Sequence, residues 1–195
     1  VDTSCSIETD ADCSAAGGTY LGDGSSCSGD PCGAGSNVWT VDDSGGADFY
    51  DIQSAVNAAS DGDEILVYPG TYTGTHPAHV ADLSGKAVWL HSSDGPETTI
   101  INGEGVRRGF ACVNGETSAT VIEGFTITSG YATGYDYNGN GGIDWWEFCG
   151  GGFYCDVSSP TLTGCSFNNN DGDYAGGSIY WQFGDATILQ CTISD

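Results

Sequence analysis

The sequence predicts an all-β fold in the form of a parallel β-helix, a solenoid with one rung per sequence repeat. The first observation is an internal repeat, because residues 150–167 match residues 176–193 after a shift of 26 positions. The second is that each repeat holds short alternating strands separated by Gly, Asn and Asp, without a helical period. A period of about 20–50 residues indicates stacked units, none of which buries an apolar face alone.

The repeat is most exact at glycines, aromatic residues and cysteines. The matched pairs are Gly150/Gly176, Gly151/Gly177, Tyr154/Tyr180, Thr161/Thr187 and Cys165/Cys191. A looser, earlier copy begins at Gly109, where residues 109–112 resemble 152–155 and residues 125–127 resemble 165–167. We therefore expect equivalent residues of successive copies to lie on neighbouring strands.

Two cysteine pairs occupy equivalent positions of the repeat. Neighbouring strands lie about 4.8 Å apart, and a disulfide needs Cα atoms about 4.4–6.8 Å apart. The spacing predicts the disulfides Cys112–Cys155 and Cys165–Cys191, with Cys149 left over. The alternative is that these cysteines are buried free thiols that pack as small apolar groups.

The charge of the chain excludes several partners. Its 195 residues include 27 acidic and only 3 Lys or Arg side chains, a formal net charge of −24. Such a surface repels nucleic acid and anionic membranes. No run approaches the ~20 apolar residues of a membrane span. We expect no nucleic-acid partner and no membrane span.

The cysteine content indicates a secreted or extracellular protein. Of 9 cysteines, four lie in the first 32 residues, in a background of Gly, Ser and Asp. Residues 1–36 are interpreted as a disulfide-stapled module, either a docking knob or a cap, whose pairing the sequence leaves open. Residues 37–195 are assigned to the β-helix.

The first part of the β-helix should carry a short capping helix. Residues 38–41 are a predicted strand, residues 48–59 an amphipathic helix with Asp48 as N-cap, and residues 63–67 the next strand. Further strands are predicted at 87–90, 99–101, 110–113 and 121–127. Arg107 and Arg108 are placed at a turn.

Two stretches carry a resemblance to a known group of proteins. They are DIQSAVNAASDGDEILVYPGTYTG (51–74) and LSGKAVWLHSSDGPETTIINGEG (83–105). They resemble the opening of secreted right-handed parallel β-helix proteins of the pectin-lyase-like superfamily, over about residues 38–195. The resemblance implies a right-handed β-helix with a helical cap on its first rung. It does not fix a function, because that superfamily includes lyases, glycosidases, esterases, adhesins and structural proteins.

An insertion at about 130–148 carries the most specific motif of the chain. Residues 136–147 fit the pattern D-x-[DN]-x-[DN]-G-x5-E, which is similar to an EF-hand or dockerin calcium loop. Hard oxygen ligands in this spacing suit Ca²⁺. The predicted ligands are Asp136, Asn138, Asn140, the Gly142 carbonyl, Asp144 and Glu147. The residues before the loop do not favour a helix, so we expect a calcium loop without flanking EF-hand helices.

Three functions remain open at this level. The first is a secreted, calcium-binding structural protein of the cell surface or matrix that assembles head to tail into a fibre, because no cap is visible after 193. The second is a carbohydrate-binding or adhesion module, in which Trp145, Trp146 and Phe148 form a sugar-stacking platform instead of packing on the flank. The third, a calcium-dependent lyase or glycosidase, is disfavoured because no base or carboxylate pair is apparent. No catalytic residue is predicted.

Overall fold

A computed structural model describes residues 36–194, so the cysteine-rich module predicted for 1–36 lies outside the described residues except at its last position. The described part contains 17 strands, one short α-helix and one 3₁₀ turn. All the pairings between these strands are parallel. The prediction of an all-β fold is confirmed.

The strands form four sheets, named here A to D and given in spatial order. Sheet A holds β1 (Val38–Val41), β2 (Glu64–Val67), β5 (Trp89–Ser92), β8 (Val121–Glu123), β12 (Thr161–Thr163) and β16 (Thr187–Leu189). Sheet B holds β3 (Gly70–Tyr72), β6 (Thr99–Asn102), β9 (Thr126–Thr128), β13 (Ser166–Asn168) and β17 (Thr192–Ser194). Sheet C holds β4 (His79–Asp82), β7 (Arg108–Cys112), β11 (Phe153–Asp156) and β15 (Ile179–Gln182). Sheet D holds β10 (Tyr131–Ala132) and β14 (Asp171–Gly172).

The chain visits these sheets in a fixed rotation. From β2 onward it passes through sheets A, B and C in turn, with the short sheet D between B and C in two of the passages. The predicted repeat register is confirmed, because Phe153 pairs with Ile179 and Phe167 pairs with Ile193. The earlier copy is also in register, since Cys112 pairs with Cys155.

The core lies between the three main sheets and is built from columns of apolar side chains at register-paired positions. The sheet A column is Ile65, Leu90, Ile122 and Leu162, the sheet B column is Tyr72, Ile101, Ile127 and Phe167, and the sheet C column is Ala81, Phe110 and Phe153. Period-2 alternation sends the intervening side chains outward. Stacking the units therefore buries one continuous core.

Helix α1 (Ile52–Ala58) begins later than the sequence indicated. Its N-cap is Asp51, whose carboxylate accepts a hydrogen bond from Ser54 N at 2.8 Å. Asp48 is not the cap, because its carboxylate accepts the backbone N–H and hydroxyl of Thr40. The strand predicted over 121–127 is likewise two strands, since Gly124 between them adopts a φ of +76°.

The two predicted disulfides are not formed. All five described cysteines, Cys112, Cys149, Cys155, Cys165 and Cys191, are free. Cys112 and Cys155 do face each other in register, but side chains on paired parallel strands project side by side. Their Cβ atoms then keep roughly the 4.8 Å strand spacing, whereas a disulfide needs about 3.8 Å. Cys112 and Cys155 therefore pack as buried free thiols, the alternative reading of the sequence.

Candidate metal site

The candidate site is the insertion between β9 and β11, which packs beside sheet C. Arg108 of β7 donates from its Nε and Nη2 atoms to the carbonyl of Cys149, and from Nη2 also to the carbonyl of Glu147. Arg108 is the first residue of strand β7 and is fully buried, so its predicted placement at a turn is wrong. Its guanidinium also lies over the rings of Tyr137 and Tyr154, 5.4 and 4.8 Å from their centroids. The end of the insertion is thereby fixed to the sheet.

The predicted calcium loop turns tightly around the side chain of Asp136. Its Oδ1 accepts the N–H of Asn140 at 3.1 Å, and its Oδ2 accepts that of Gly141 at 2.9 Å. Gly139 and Gly141 have φ angles of +67° and +86°, which L side chains rarely adopt. The glycine at the sixth position of the pattern therefore has the backbone role that the motif requires.

Three of the predicted ligand side chains, those of Asn138, Asn140 and Asp144, are joined by hydrogen bonds. The amide groups of Asn138 and Asn140 both donate to Oδ2 of Asp144, at 3.0 and 2.9 Å. The N–H of Gly142 donates to Oδ1 of Asn140 at 2.9 Å. A cation bound here would take the place of the two amide groups as the partner of the Asp144 carboxylate.

Glu147 closes the loop from a fully buried position in the 3₁₀ turn Trp145–Phe148. Its Oε1 accepts the N–H of Tyr137 at 2.6 Å, and its Oε2 accepts that of Asp144 at 2.8 Å. One carboxylate therefore joins the beginning and the end of the loop. The six predicted ligand positions lie in one hydrogen-bonded turn.

The chemistry of this donor set fits a hard cation better than a transition metal. Carboxylate, amide and carbonyl oxygens are the ligands that Ca²⁺ takes, whereas sulfur and imidazole are absent from the loop. Among residues 36–194, no group of three or more His, Cys, Asp or Glu side chains is close enough to hold a metal by itself. Two Asn side chains and a main-chain carbonyl would have to complete the shell. Calcium binding stays a prediction.

Some aromatic rings beside the loop pack against other rings, and others are exposed. Tyr137 stacks between His79 and Tyr154, with centroid distances of 6.0 and 5.3 Å, and Tyr154 stacks on Tyr180. Trp145 is 54% exposed, whereas Phe148 packs against Tyr174. Trp145 and Trp146 meet at an interplanar angle of 80°, so Trp145, Trp146 and Phe148 do not form one flat platform.

The outer face of sheet A carries a polar and aromatic group that sequence reasoning missed. His91 contacts Glu64 at 2.9 Å and stacks on Trp89 at 3.9 Å, and the Trp89 indole donates to Glu123 at 2.9 Å. These residues lie at alternate positions of β2, β5 and β8, and this alternation was the sequence signal that could have identified the group. Both carboxylates are engaged by neighbouring side chains, so this group is read as a surface cluster.

Comparison with known proteins adds no identification. No protein-family model matches the chain, and no curated protein matches it either. Within the described residues, no helix is long and apolar enough to cross a membrane. The functional argument therefore depends on the site itself.

Proposed function

We propose that this chain is a secreted, calcium-binding structural protein of the cell surface or extracellular matrix, built on a right-handed parallel β-helix. The observation that supports the proposal is the loop 136–147, in which hydrogen bonds within the loop involve each of the six pattern residues. A stacked scaffold with a metal-stabilised insertion on its flank suits a structural role.

The β-helix part of the proposal is supported by the path of the chain. Successive parallel strands rotate through sheets A, B and C, with equivalent residues stacked in register. Parallel strands joined by crossover connections are right-handed in nearly all proteins. Helix α1 packs on β1, β2 and β4, the place at which the pectin-lyase-like resemblance implies a cap.

Calcium would act on the insertion by neutralising its carboxylates. Asp136, Asp144 and Glu147 carry three negative charges in a chain whose net charge is already −24. Asp136 and Asp144 would be the loop's anionic ligands at positions 1 and 9, and Glu147 would close the shell. The metal supplies only charge and geometry here. With two neutral Asn ligands, we expect a dissociation constant on the order of 10⁻⁴–10⁻³ M, as in extracellular modules.

Calorimetric titration of the whole chain with CaCl₂ tests this function. We expect one site in the wild type, and a loss of at least tenfold in affinity for Glu147→Gln. Glu97→Gln is the matched control, because Glu97 is exposed on a turn outside the insertion. An absence of binding to the wild type, or equal binding by Glu147→Gln, would overturn the calcium assignment.

Head-to-tail assembly is the part of the proposal that concerns a partner. The strands β15, β16 and β17 each pair on one side only among the described residues. They expose Trp181, Leu189 and Ile193, each at least half accessible. Unpaired parallel edges with apolar side chains accept further strands, and a second copy of this chain would supply them in a heterologous contact.

Light scattering at increasing protein concentration in millimolar calcium tests the assembly. We expect growth of the scattering mass with concentration for the wild type. Ile193→Lys, which places a charge on the exposed edge, should remain a monomer. A wild type that stays monomeric across the range contradicts the assembly and leaves the calcium assignment unaffected.

A further inference from the structure

A cleft of 420 Å³ lies beside the candidate calcium loop. Its walls come from helix α1, from β4 and the turn before it, from the turns after β4 and β7, and from residues 135–137 of the insertion. Binding pockets for small molecules usually measure about 300–1,000 Å³. The cleft is therefore large enough for a ligand of one or two sugar rings.

We propose that this cleft binds a short neutral saccharide, and that the calcium loop forms one of its walls. The role of the calcium loop as a wall rests on the calcium site proposed above. The side chains that carry the argument are Asn57, His76, His79, Asp82, Asn114 and Tyr135.

The polar groups of the cleft match a ligand that is rich in hydroxyl groups. The amides of Asn57 and Asn114 each offer a donor and an acceptor, and the imidazole of His76 offers one more polar atom. Asn57 is exposed and keeps its amide N–H donors, because its bond to Gln53 uses only its Oδ1. Asn114 is exposed and keeps its Oδ1 acceptor, because its Nδ2 donates to both carboxylate oxygens of Asp82. A hydroxyl group both donates and accepts, so a polyol can satisfy such a mixed wall.

Aromatic surface is placed next to these polar groups. Tyr135 is 37% exposed and packs edge-on against His76, with ring centroids 5.1 Å apart. His76 in turn stacks on His79 at 4.1 Å and an interplanar angle of 14°. The C–H face of a sugar ring can pack on such rings while its hydroxyls reach the amides.

The charge of the wall selects a neutral ligand over an anionic one. Asp82 and Asp136 both line the cleft, and none of its lining residues is Lys or Arg. Burial lowers the pKa of His79 to about 3 and also lowers the pKa of His76, so both imidazoles are neutral at neutral pH. Even with calcium bound, the carboxylates of Asp82, Asp136, Asp144 and Glu147 exceed the two charges of Ca²⁺ and leave a net charge of −2 beside the cleft. The lining side chains offer no cation that would bind a uronate or phosphate.

The calcium loop and the cleft share two consecutive residues. Asp136 lines the cleft and is the first predicted calcium ligand. Tyr137 also lines the cleft, and its backbone N–H donates to Glu147, the last predicted ligand. Ordering of the loop by calcium would fix this wall of the cleft, and saccharide affinity should then depend on calcium.

Ligand-observed NMR on the whole chain tests the inference with four neutral disaccharides: cellobiose, maltose, lactose and di-N-acetylchitobiose. Digalacturonate is the anionic comparison. We expect at least one neutral disaccharide to bind in millimolar calcium, at least tenfold weaker binding in EDTA, and no binding of digalacturonate. Asn57→Ala and His76→Ala should each weaken binding at least fivefold. Trp89→Ala, on the outer face of sheet A, is the control and should bind as the wild type does.

The outcomes separate the cleft from the calcium site. If calorimetry shows calcium binding but none of the four neutral disaccharides binds, the cleft assignment fails and the calcium site stands. Binding that Asn57→Ala and His76→Ala leave unchanged places the sugar elsewhere and also overturns the cleft. If a disaccharide binds equally in calcium and in EDTA, the claim that calcium orders a wall of the cleft is refuted. If calcium itself does not bind, the proposed function fails separately.

Discussion

The hydroxyl of Tyr137 lies 3.1 Å from Nδ1 of His79, which joins the second residue of the candidate calcium loop to the first strand of sheet C. The two rings also stack. Tyr137 continues this contact to Tyr154, and Arg108 lies over both tyrosine rings. The insertion is therefore attached to the sheet by a side chain from inside the loop as well as by its end.

Removal of this hydroxyl should weaken the attachment without removing the ring. We expect Tyr137→Phe to lower the free energy of unfolding by about 1 kcal/mol, the usual contribution of one hydrogen bond. Urea denaturation at neutral pH measures the change. Tyr50→Phe is the control, because Tyr50 is 69% exposed. Equal stability of Tyr137→Phe and the wild type would show that the contact contributes nothing.

The same histidine should make the protein sensitive to acid. Burial lowers the pKa of His79 to about 3, against about 6.5 in an unfolded chain. Between these values the unfolded state binds more protons, so stability rises with pH and is lost as pH falls from 6.5 towards 3. The loss from this one group approaches about 1.4 kcal/mol per pH unit.

Carboxylates titrate in part of the same range, so a comparison of variants is needed. Urea denaturation from pH 7 to pH 4 should give a shallower decline for His79→Gln than for the wild type. Tyr50→Phe, which changes no histidine at a position that is 69% exposed, should keep the wild-type decline. Parallel curves for His79→Gln and the wild type contradict the assignment.

Arg108 should control how well the loop is held in its binding conformation. Arg108→Met keeps much of the apolar volume but removes the donors to the carbonyls of Glu147 and Cys149. We expect calcium affinity to fall about tenfold, equivalent to about 1.4 kcal/mol. Calorimetry measures it, with Arg107→Met as the control, since Arg107 pairs with Glu104 outside the loop. An unchanged affinity would mean that the buried guanidinium serves the fold alone.

Local patterns and repeats carried most of what the sequence could predict. The calcium pattern spans twelve consecutive residues, so turn chemistry alone brings its side chains together. Strand register followed from the repeat, as the pairing of Tyr154 with Tyr180 shows. Arg108 was misplaced because its carbonyl partners lie 39 and 41 residues further along the chain. No periodicity indicates so distant a contact.

The cleft could not be predicted from the sequence for a similar reason. Asn57, His79, Asn114 and Tyr135 come from four separate segments, and only the stacking of the sheets brings them to one wall. The disulfide prediction was wrong for a different reason. Strand spacing alone allows a disulfide, but the parallel direction of the Cys112 and Cys155 side chains keeps their Cβ atoms too far apart.

Cys191 should be the most reactive of the described thiols. A hydrogen bond with Cys165 lowers the pKa of Cys191 and raises that of Cys165, which is also buried. Cys191 is half-buried, so a reagent can reach it. Mass-spectrometric mapping at pH 7 should find iodoacetamide on Cys191 before Cys112 or Cys155. In Cys165→Ala the reaction at Cys191 should slow several-fold, because its thiolate loses the hydrogen bond. Slower labelling of Cys191 than of Cys112 contradicts this order.

The repeated glycines should be intolerant of a side chain where stacked turns approach one another. A Cβ on Gly151 would lie 2.1 Å from the carbonyl oxygen of Asp171 and 2.7 Å from that of Gly130, and both atoms belong to the backbone. Neither can move without a shift of the stacked chain, so Gly151→Ala should lower the free energy of unfolding by more than 3 kcal/mol. Gly142→Ala is the matched control, because its Cβ would meet nothing nearer than 3.5 Å and its φ is not positive. Urea denaturation of both variants measures the difference. Two alanine variants of equal stability would mean that the stacked turns do not approach as closely as described.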